Sequence, residues 1–197
     1  MKNAKKVLLL ALCALLLVGA SIAGTVAYLT SNKTVTNTFT IGKVEITLTE
    51  AKLNPQTGAK LTGNEAEDVT AMQDIELVPG RKIDKNPKIT VSGESEECYL
   101  FVKIENGLLG AGTINNLTGW VSINGDANAD AVSYYRYNVT ANASDVIPVF
   151  ESFTCSSAIT EYDAALAGKQ IIVTAYAIQA EGLSADQAAA TLNLPTA

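Results

Sequence analysis

Apolar side chains recur at every second position along most of this chain, and this spacing constrains the fold more than any other feature. The alternation is clearest over residues 98–105, where one face carries Cys98, Leu100, Val102 and Ile104. A repeat of two is the repeat of a β-strand, because successive side chains of a strand point to opposite faces of its sheet. This stretch is therefore predicted to be a strand with one buried face.

The same repeat predicts further strands at 43–50, 87–92, 120–123, 132–140 and 146–155. Residues 170–180 are apolar on both faces, which predicts a central strand that is covered on both sides. About seven or eight strands at this spacing are typical of antiparallel sandwiches and jelly rolls. The chain is therefore predicted to be mainly β, with an antiparallel jelly-roll or β-sandwich domain.

Helix is predicted only in short pieces. Residues 161–167 fit a short helix, and Ser184 and Gln187 have the spacing of a capping box, in which each side chain bonds to the backbone of the other residue. A short C-terminal helix is therefore predicted from Ser184 to about Leu192. Between the strands, Pro79-Gly80 predicts a turn. The breaker residues within 51–74 predict an exposed loop or a small hairpin.

The apolar repeat changes phase at Gly42. Before Gly42 the apolar residues occupy odd-numbered positions, at Val35, Phe39 and Ile41. After Gly42 they occupy even-numbered positions, at Val44, Ile46 and Leu48. A shift of one residue turns every side chain to the opposite face of a sheet, so the backbone must bulge or bend there. The segments before and after Gly42 are therefore predicted to belong to different sheets or even to different molecules.

The first 27 residues have the build of a secretory signal peptide. Three lysines precede an apolar run over residues 7–18, and small residues follow it. Cleavage after Ala27 leaves Tyr28 as the new N-terminus, and Ala23 marks a second candidate junction. A retained membrane anchor is the alternative, although the apolar run is short for a span of about 20 residues. We therefore expect export.

Composition excludes several classes of function. The chain carries 14 basic and 20 acidic side chains, a net charge of −6, and removal of the three leader lysines brings the net charge to −9. A negative surface repels nucleic acid and disfavours stable association with anionic membranes after cleavage. The chain contains no histidine, which removes His-based catalysis and His-ligated metal sites. No catalytic residue, metal ligand or cofactor is predicted.

One acidic cluster has both a functional and a structural interpretation. Residues 126–130 occupy the first ligand positions of a calcium loop, but Ala131 replaces the glycine of its sharp turn and Tyr137 replaces its closing glutamate. Asn124-Gly125 just before the cluster is a hairpin signal. A hairpin turn is therefore the favoured prediction.

The remaining candidates are aromatic and sulfur-containing side chains. Tyr135, Tyr137 and Val139 share one face of a predicted strand and are expected to pack on the core rather than to contact a ligand. Cys98 and Cys155 are the two cysteines that remain after the leader is removed. In an exported protein such a pair is compatible with a disulfide, and equally with two buried free thiols.

Several short stretches follow a pattern seen in known proteins: Gly24-Thr-Val-Ala-Tyr-Leu-Thr30, Asn37-Thr-Phe-Thr40, Gly42-Lys-Val-Glu-Ile46 and Leu48-Thr-Glu50. The pattern continues at 77–80, 98–104 and 175–180. Together they resemble the TasA/camelysin-type family of biofilm matrix fibre proteins of Gram-positive bacteria, which a SipW-type signal peptidase processes. The resemblance is dense over residues 18–50 and patchy beyond, and the signal-peptide junction is its specific part.

The resemblance implies a jelly-roll subunit that polymerises head to tail. In that scheme residues 1–27 are the signal peptide, 28–42 form a strand donated to the next subunit, and 43–197 form the sandwich domain. The assembly strand then carries Val35, Phe39, Ile41 and Gly42. The implied partners are further copies of the chain, a minor anchoring or initiating subunit, and the signal peptidase.

The expected product is a secreted structural protein of the matrix or cell surface. The alternatives are an exported camelysin-type protease, which the lack of histidine opposes, and a monomeric surface binding module.

Overall fold

The computed structural model describes residues 43–70, 73–159 and 166–196, together with Lys6 and Cys13. Several predictions lie outside these residues: the cleavage site at Ala27 and Tyr28, the donor strand 28–42 with Val35, Phe39, Ile41 and Gly42, and most of the short helix at 161–167.

The described part of the chain is mainly β, as the alternation predicts. Its strands are β1 (Ile46–Ala51), β2 (Asp68–Val69), β3 (Lys82–Ile83), β4 (Lys88–Val91), β5 (Cys98–Asn106), β6 (Gly112–Asn115), β7 (Trp120–Asn124), β8 (Val132–Tyr137), β9 (Val146–Pro148), β10 (Ser152–Cys155) and β11 (Ile171–Gln179). One short helix, α1 (Ala185–Thr191), follows them.

The strands form three antiparallel sheets. The first has the order β2-β1-β4-β9, the second β3-β10-β6, and the third β11-β5-β8-β7. The β7–β8 hairpin confirms the turn predicted at Asn124-Gly125, where Gly125 adopts a φ of 76°. The turn at Pro79-Gly80 is confirmed too, since the amide of Arg81 donates to the carbonyl of Val78 at 3.0 Å.

The three sheets share one apolar core. It is built from the inward faces of β4, β5 and β10, whose side chains are 0–2% exposed, among them Ile89, Val91, Leu100, Val102, Ile104 and Phe153. Val44, Ile46 and Leu48 pack against this core from the first sheet, so the predicted face after Gly42 is confirmed. Alternation therefore locates the buried face of the strands correctly.

A second, smaller core lies on the other face of the third sheet. Helix α1 covers Phe101 there with Ala188 and Ala189, all of them buried. The predicted capping box begins this helix: the side-chain oxygen of Ser184 accepts from the amide of Gln187, and the side chain of Gln187 accepts from the amide of Ser184. The helix therefore both begins and ends where the sequence predicts.

Three strand predictions are wrong in detail. Strand β11 is an edge strand among the described residues rather than a central one. The run 146–155 is divided between β9 and β10, which belong to different sheets. Val139 is 55% exposed because β8 ends at Tyr137. Local periodicity cannot report which strands become neighbours, and each of these errors concerns pairing or strand ends rather than strand character.

Candidate functional site

Strands β1 and β11 leave their edges open on one side of the core among the described residues, and β9 and β7 are the edge strands at the other end of the same two sheets. Strand β11 pairs with β5 over its full nine residues and has no described strand on its other side. Strand β1 pairs with β4 from Ile46 to Thr49, while β2 covers its outer edge only at Glu50 and Ala51. Each open edge presents backbone donors and acceptors that an added strand could bond.

The two open edges lie along the same side of the core. At one end, the amide of Glu96 donates to the carbonyl of Lys43 at 3.0 Å, and the amide of Ala180 donates to the carbonyl of the adjacent Glu97 at 2.9 Å. The start of β1 and the end of β11 are thus attached to two consecutive residues. At the other end, Glu50 and Ile171 line one cavity. We call the opening between β1 and β11 the open seam.

Side chains along the open seam are incompletely covered. The core-facing residues of β1 and β11 are only partly buried: Ile46, Leu48, Ile171, Val173, Ala175 and Ala177. Val44, just before β1, is partly buried too. Their neighbours one strand further in, on β4 and β5, are 0–1% exposed. The apolar surface left at the seam would be removed from water by an added apolar strand, at about 25 cal/mol per Å².

A cavity of about 890 Å³ opens at the end of the seam that is farther from Lys43. Its apolar lining includes Leu53, Ile83, Leu108, Phe153 and Ile171. This volume is in the range of small-ligand sites, so a single large apolar side chain would fill only part of it.

Charged groups mark the rim of the cavity. Lys85 Nζ lies 2.7 Å from a carboxylate oxygen of Glu50, and the two side chains are 24% and 13% exposed. The pair is mutually neutralised beside an apolar floor, so neither charge is left alone at low dielectric. A ligand entering the cavity therefore meets apolar side chains together with polar and charged ones, among them Asp74, Glu76 and Lys169.

Two local features fix the walls of the cavity. Gln73 ties its loop to β1, since its side-chain oxygen accepts from the amide of Leu53 at 2.7 Å and its nitrogen donates to the carbonyl of Ala51 at 3.0 Å. Gly58 has a φ of 70°, and a Cβ there would lie 2.9 Å from Ile83 Cγ1. Glycine is therefore needed for the Asn54–Ala59 turn to approach β3. The turn and the Leu53–Lys60 bridge confirm a small hairpin within 51–74.

Cys98 and Cys155 are buried free thiols in the structure, on β5 and β10. The disulfide that the sequence left open is not formed there. Burial, with a smaller contribution from the charges of Asp145 and Glu97, raises the pKa of Cys98 to about 11. Burial also raises the pKa of Cys155. Both side chains are therefore packing residues with little thiolate at neutral pH.

The acidic cluster at residues 126–130 is a turn that satisfies its own carboxylates. Asp126 accepts from the amide of Asn128 at 2.8 Å, and Asp130 accepts from the amide of Asp126 at 2.8 Å. The hydroxyl of Tyr135 accepts from the amide of Ala127 at 2.7 Å. Within the described ranges, no group of three or more His, Cys, Asp or Glu side chains could hold a metal ion.

The predicted aromatic face is confirmed at two of its three positions. Tyr135 is 7% exposed in the core, and the Tyr137 ring lies 5.4 Å from the ring of Trp120. The sequence interpretation missed the open seam and its cavity. Residues 170–180 are apolar on both faces because one face packs on the main core and the other packs on the smaller core under α1, so this pattern carries no signal of an open edge.

No protein-family model matches this chain, and no curated protein or solved structure matches it. Among the described residues, no helix is long and apolar enough to cross a membrane.

Proposed function

We propose that this protein is a secreted structural subunit of extracellular fibres, in a biofilm matrix or on a cell surface, and that its sheets form a jelly-roll β-sandwich. The observation that carries the proposal is the open seam: two apolar strand edges on one side of the core with no described strand between them. In this scheme residues 28–42 of a second copy fill the seam.

The chemistry of such a contact is that of strand addition. Backbone hydrogen bonds to the free edge of β11 supply affinity, and apolar side chains at alternate positions set the register. Residues Val35, Phe39 and Ile41 supply that alternation. A strand donated by one copy to the next makes a heterologous contact, so addition continues and a filament results.

The N-terminal sequence supports export. The basic, apolar and small-residue order of residues 1–27 is that of a signal peptide, and the junction resembles those cut by a SipW-type peptidase. Cleavage after Ala27 frees the donor strand only outside the cell, which limits the aggregation that a free strand and an open edge invite. The intact mass of the secreted protein tests this step, and a mass that retains residues 1–27 contradicts it.

We propose a structural role rather than a catalytic one because the chain has no histidine for the zinc ligands or bases of a camelysin-type protease. The cavity at the end of the seam gives some support to one alternative, a monomeric surface binding module. Such a module would remain unassembled at every concentration.

Electron microscopy of the chain that begins at Tyr28 tests the proposal. We expect filaments from this chain and a folded monomer from the variant that lacks residues 28–41. Phe39→Asp is expected to weaken assembly without unfolding the domain, and Thr38→Asp, one position away on the opposite strand face, is the matched control. Normal filaments from the deletion variant would refute strand donation by this segment. A casein-degradation assay with and without chelator tests the protease alternative.

A further inference from the structure

The open seam has two different ends. Residue 43 directly follows the donor segment, and the carbonyl of Lys43 is held by Glu96 beside the C-terminal end of β11. Each subunit's own donor segment is therefore joined to the folded body at this end, which we call the exit end. The cavity with Glu50 and Ile171 lies at the opposite end, which we call the cavity end.

This asymmetry decides which way a donated strand can run if filaments are to grow. If Gly42 of the incoming segment lies at the cavity end, the neighbour's body is beyond the cavity and the subunit's own segment leaves freely at the exit end. Every subunit then adds in the same direction. If Gly42 of the incoming segment lies at the exit end, the neighbour's body is also at that end. The donor segments of both subunits are then attached at the same place. That arrangement favours a closed pair, which does not extend.

We therefore infer, on the basis of the proposed function, that the donated strand runs antiparallel to β11 with Phe39 opposite Ile171 and its ring in the cavity. Strand β11 runs from the cavity end to the exit end, so an incoming strand of the growing orientation is antiparallel to it. Residues directly opposite in an antiparallel pair point to the same face. The odd-numbered Val35 and Phe39 therefore face the core together with the odd-numbered Ile171 and Ala175.

The register agrees with side-chain size and with chain length. Phe39, the largest core-facing side chain of the segment, meets the cavity, while Val35 lies opposite the small Ala175. Three residues, 40–42, then connect Phe39 to the neighbour's Lys43. Phe39 and Lys43 are four residue steps apart, so at about 3.3 Å per step they are at most about 13 Å apart, and adjacent bodies are held close together. In this register the Phe39 ring contacts four residues of the cavity, which are Leu53, Leu108, Phe153 and Ile171.

A cysteine cross-link on the outer face of the strand pair tests the register. In this register Thr38 lies opposite Ile172, which is 47% exposed. The double variant Thr38→Cys, Ile172→Cys is expected to form filaments whose subunits appear as a covalent ladder on a non-reducing gel. The matched control is Thr34→Cys, Ile172→Cys, which keeps the exposed acceptor position and moves the donor cysteine about 13 Å along the same face of the donated strand. It is expected to give no ladder. Each single-cysteine variant serves as a further control, because a ladder from it would show that the introduced cysteine links to a native cysteine.

The outcomes separate this inference from the proposed function. Filaments that ladder only with the Thr34 and Ile172 pair, or with neither pair, overturn the register while strand donation stands. Absence of filaments from the unmodified chain that begins at Tyr28 overturns the proposed function itself. As a second readout, Phe39→Ala should raise the critical concentration for assembly about tenfold or more. Phe39→Leu should give a critical concentration close to that of the parent chain. Equal effects of the two substitutions would contradict a ring in the cavity.

Discussion

The two sides of the core are built differently. On the side of β7 and β9, the indole nitrogen of Trp120 donates to the carbonyl of Pro148 at 2.8 Å, and the Trp120 ring packs on Tyr137. Ile147 of β9 is 4% exposed. On the side of β1 and β11, the core-facing residues are only partly buried, and the described strands supply no cover. Strands β7 and β9 are edge strands too among the described residues. The difference is that their core-facing Trp120 and Ile147 are buried, whereas the core-facing residues of β1 and β11 are only partly buried.

This difference indicates how stability and assembly are divided. A substitution on the closed side removes contacts that the free subunit already has, so it lowers the free energy of unfolding. On the proposed scheme, a substitution on the open seam removes contacts made only after another strand is added, so we expect it to act mainly on assembly. The predictions below test this division.

The largest effect is expected from Trp120→Ala on the closed side. The substitution removes a buried ring and the hydrogen bond to Pro148, and buried Trp→Ala changes cost about 3–5 kcal/mol. Chemical denaturation of the monomeric deletion variant measures the loss. Val121→Ala, on the same strand but 47% exposed, is the control and should change stability by less than about 0.5 kcal/mol. Similar losses for both variants would refute the closed side as a stability element.

The second prediction concerns Cys98, which lies between the two sides on β5. Its pKa of about 11, against 9.0 for an ordinary thiol, lowers its thiolate fraction by about 100-fold near neutral pH. Native protein should therefore react with thiol reagents at least about 100-fold more slowly than unfolded protein, since burial also blocks access.

The same shift predicts a pH dependence of stability. The folded state holds the Cys98 proton more tightly than the unfolded state, so the stabilisation is complete below pH 9 and is lost as pH rises from about 9 to 11. The denaturation midpoint should fall more steeply in this window for the parent than for Cys98→Ala. If the denaturation midpoints of the two proteins fall equally steeply in this window, the raised pKa of Cys98 is contradicted.

A smaller effect is expected from Ser184→Ala. The capping box orders helix α1, which covers the outer face of the third sheet beside β11. Loss of an N-cap costs about 1 kcal/mol. Ser184→Asn retains a capping oxygen and should restore most of the stability, and a loss as large as that of the alanine variant would argue against the cap.

The smallest effect on stability is expected from Val173→Ala on the open seam. Val173 is only partly buried in the free subunit, so about 0.5 kcal/mol is expected from the area removed. Assembly should nevertheless weaken, because the proposed added strand would contact Val173. Val146→Ala, 56% exposed on the closed side, should leave assembly unchanged. Equal assembly by both variants would contradict a role for the seam.

Periodicity predicted most of the strands because burial of one face is a local property. It identified β5 residue by residue, and the capping box identified helix α1. The positions of β9, β10 and β11 could not be predicted, since strand order depends on contacts between distant segments. The cavity likewise combines residues from the Leu53 hairpin, the Gln73 loop and the start of β11, which no local pattern connects.

The central claim is that the open seam of the folded body accepts residues 28–42. The most direct measurement is a titration of the chain that begins at Lys43 with a peptide of residues 28–42, followed by calorimetry and by the melting temperature. The account predicts saturable binding of one peptide per subunit, a higher melting temperature, and much weaker binding of the Phe39→Asp peptide than of the Thr38→Asp peptide. A peptide that neither binds nor stabilises the body, while the chain that begins at Tyr28 still forms filaments, would contradict it.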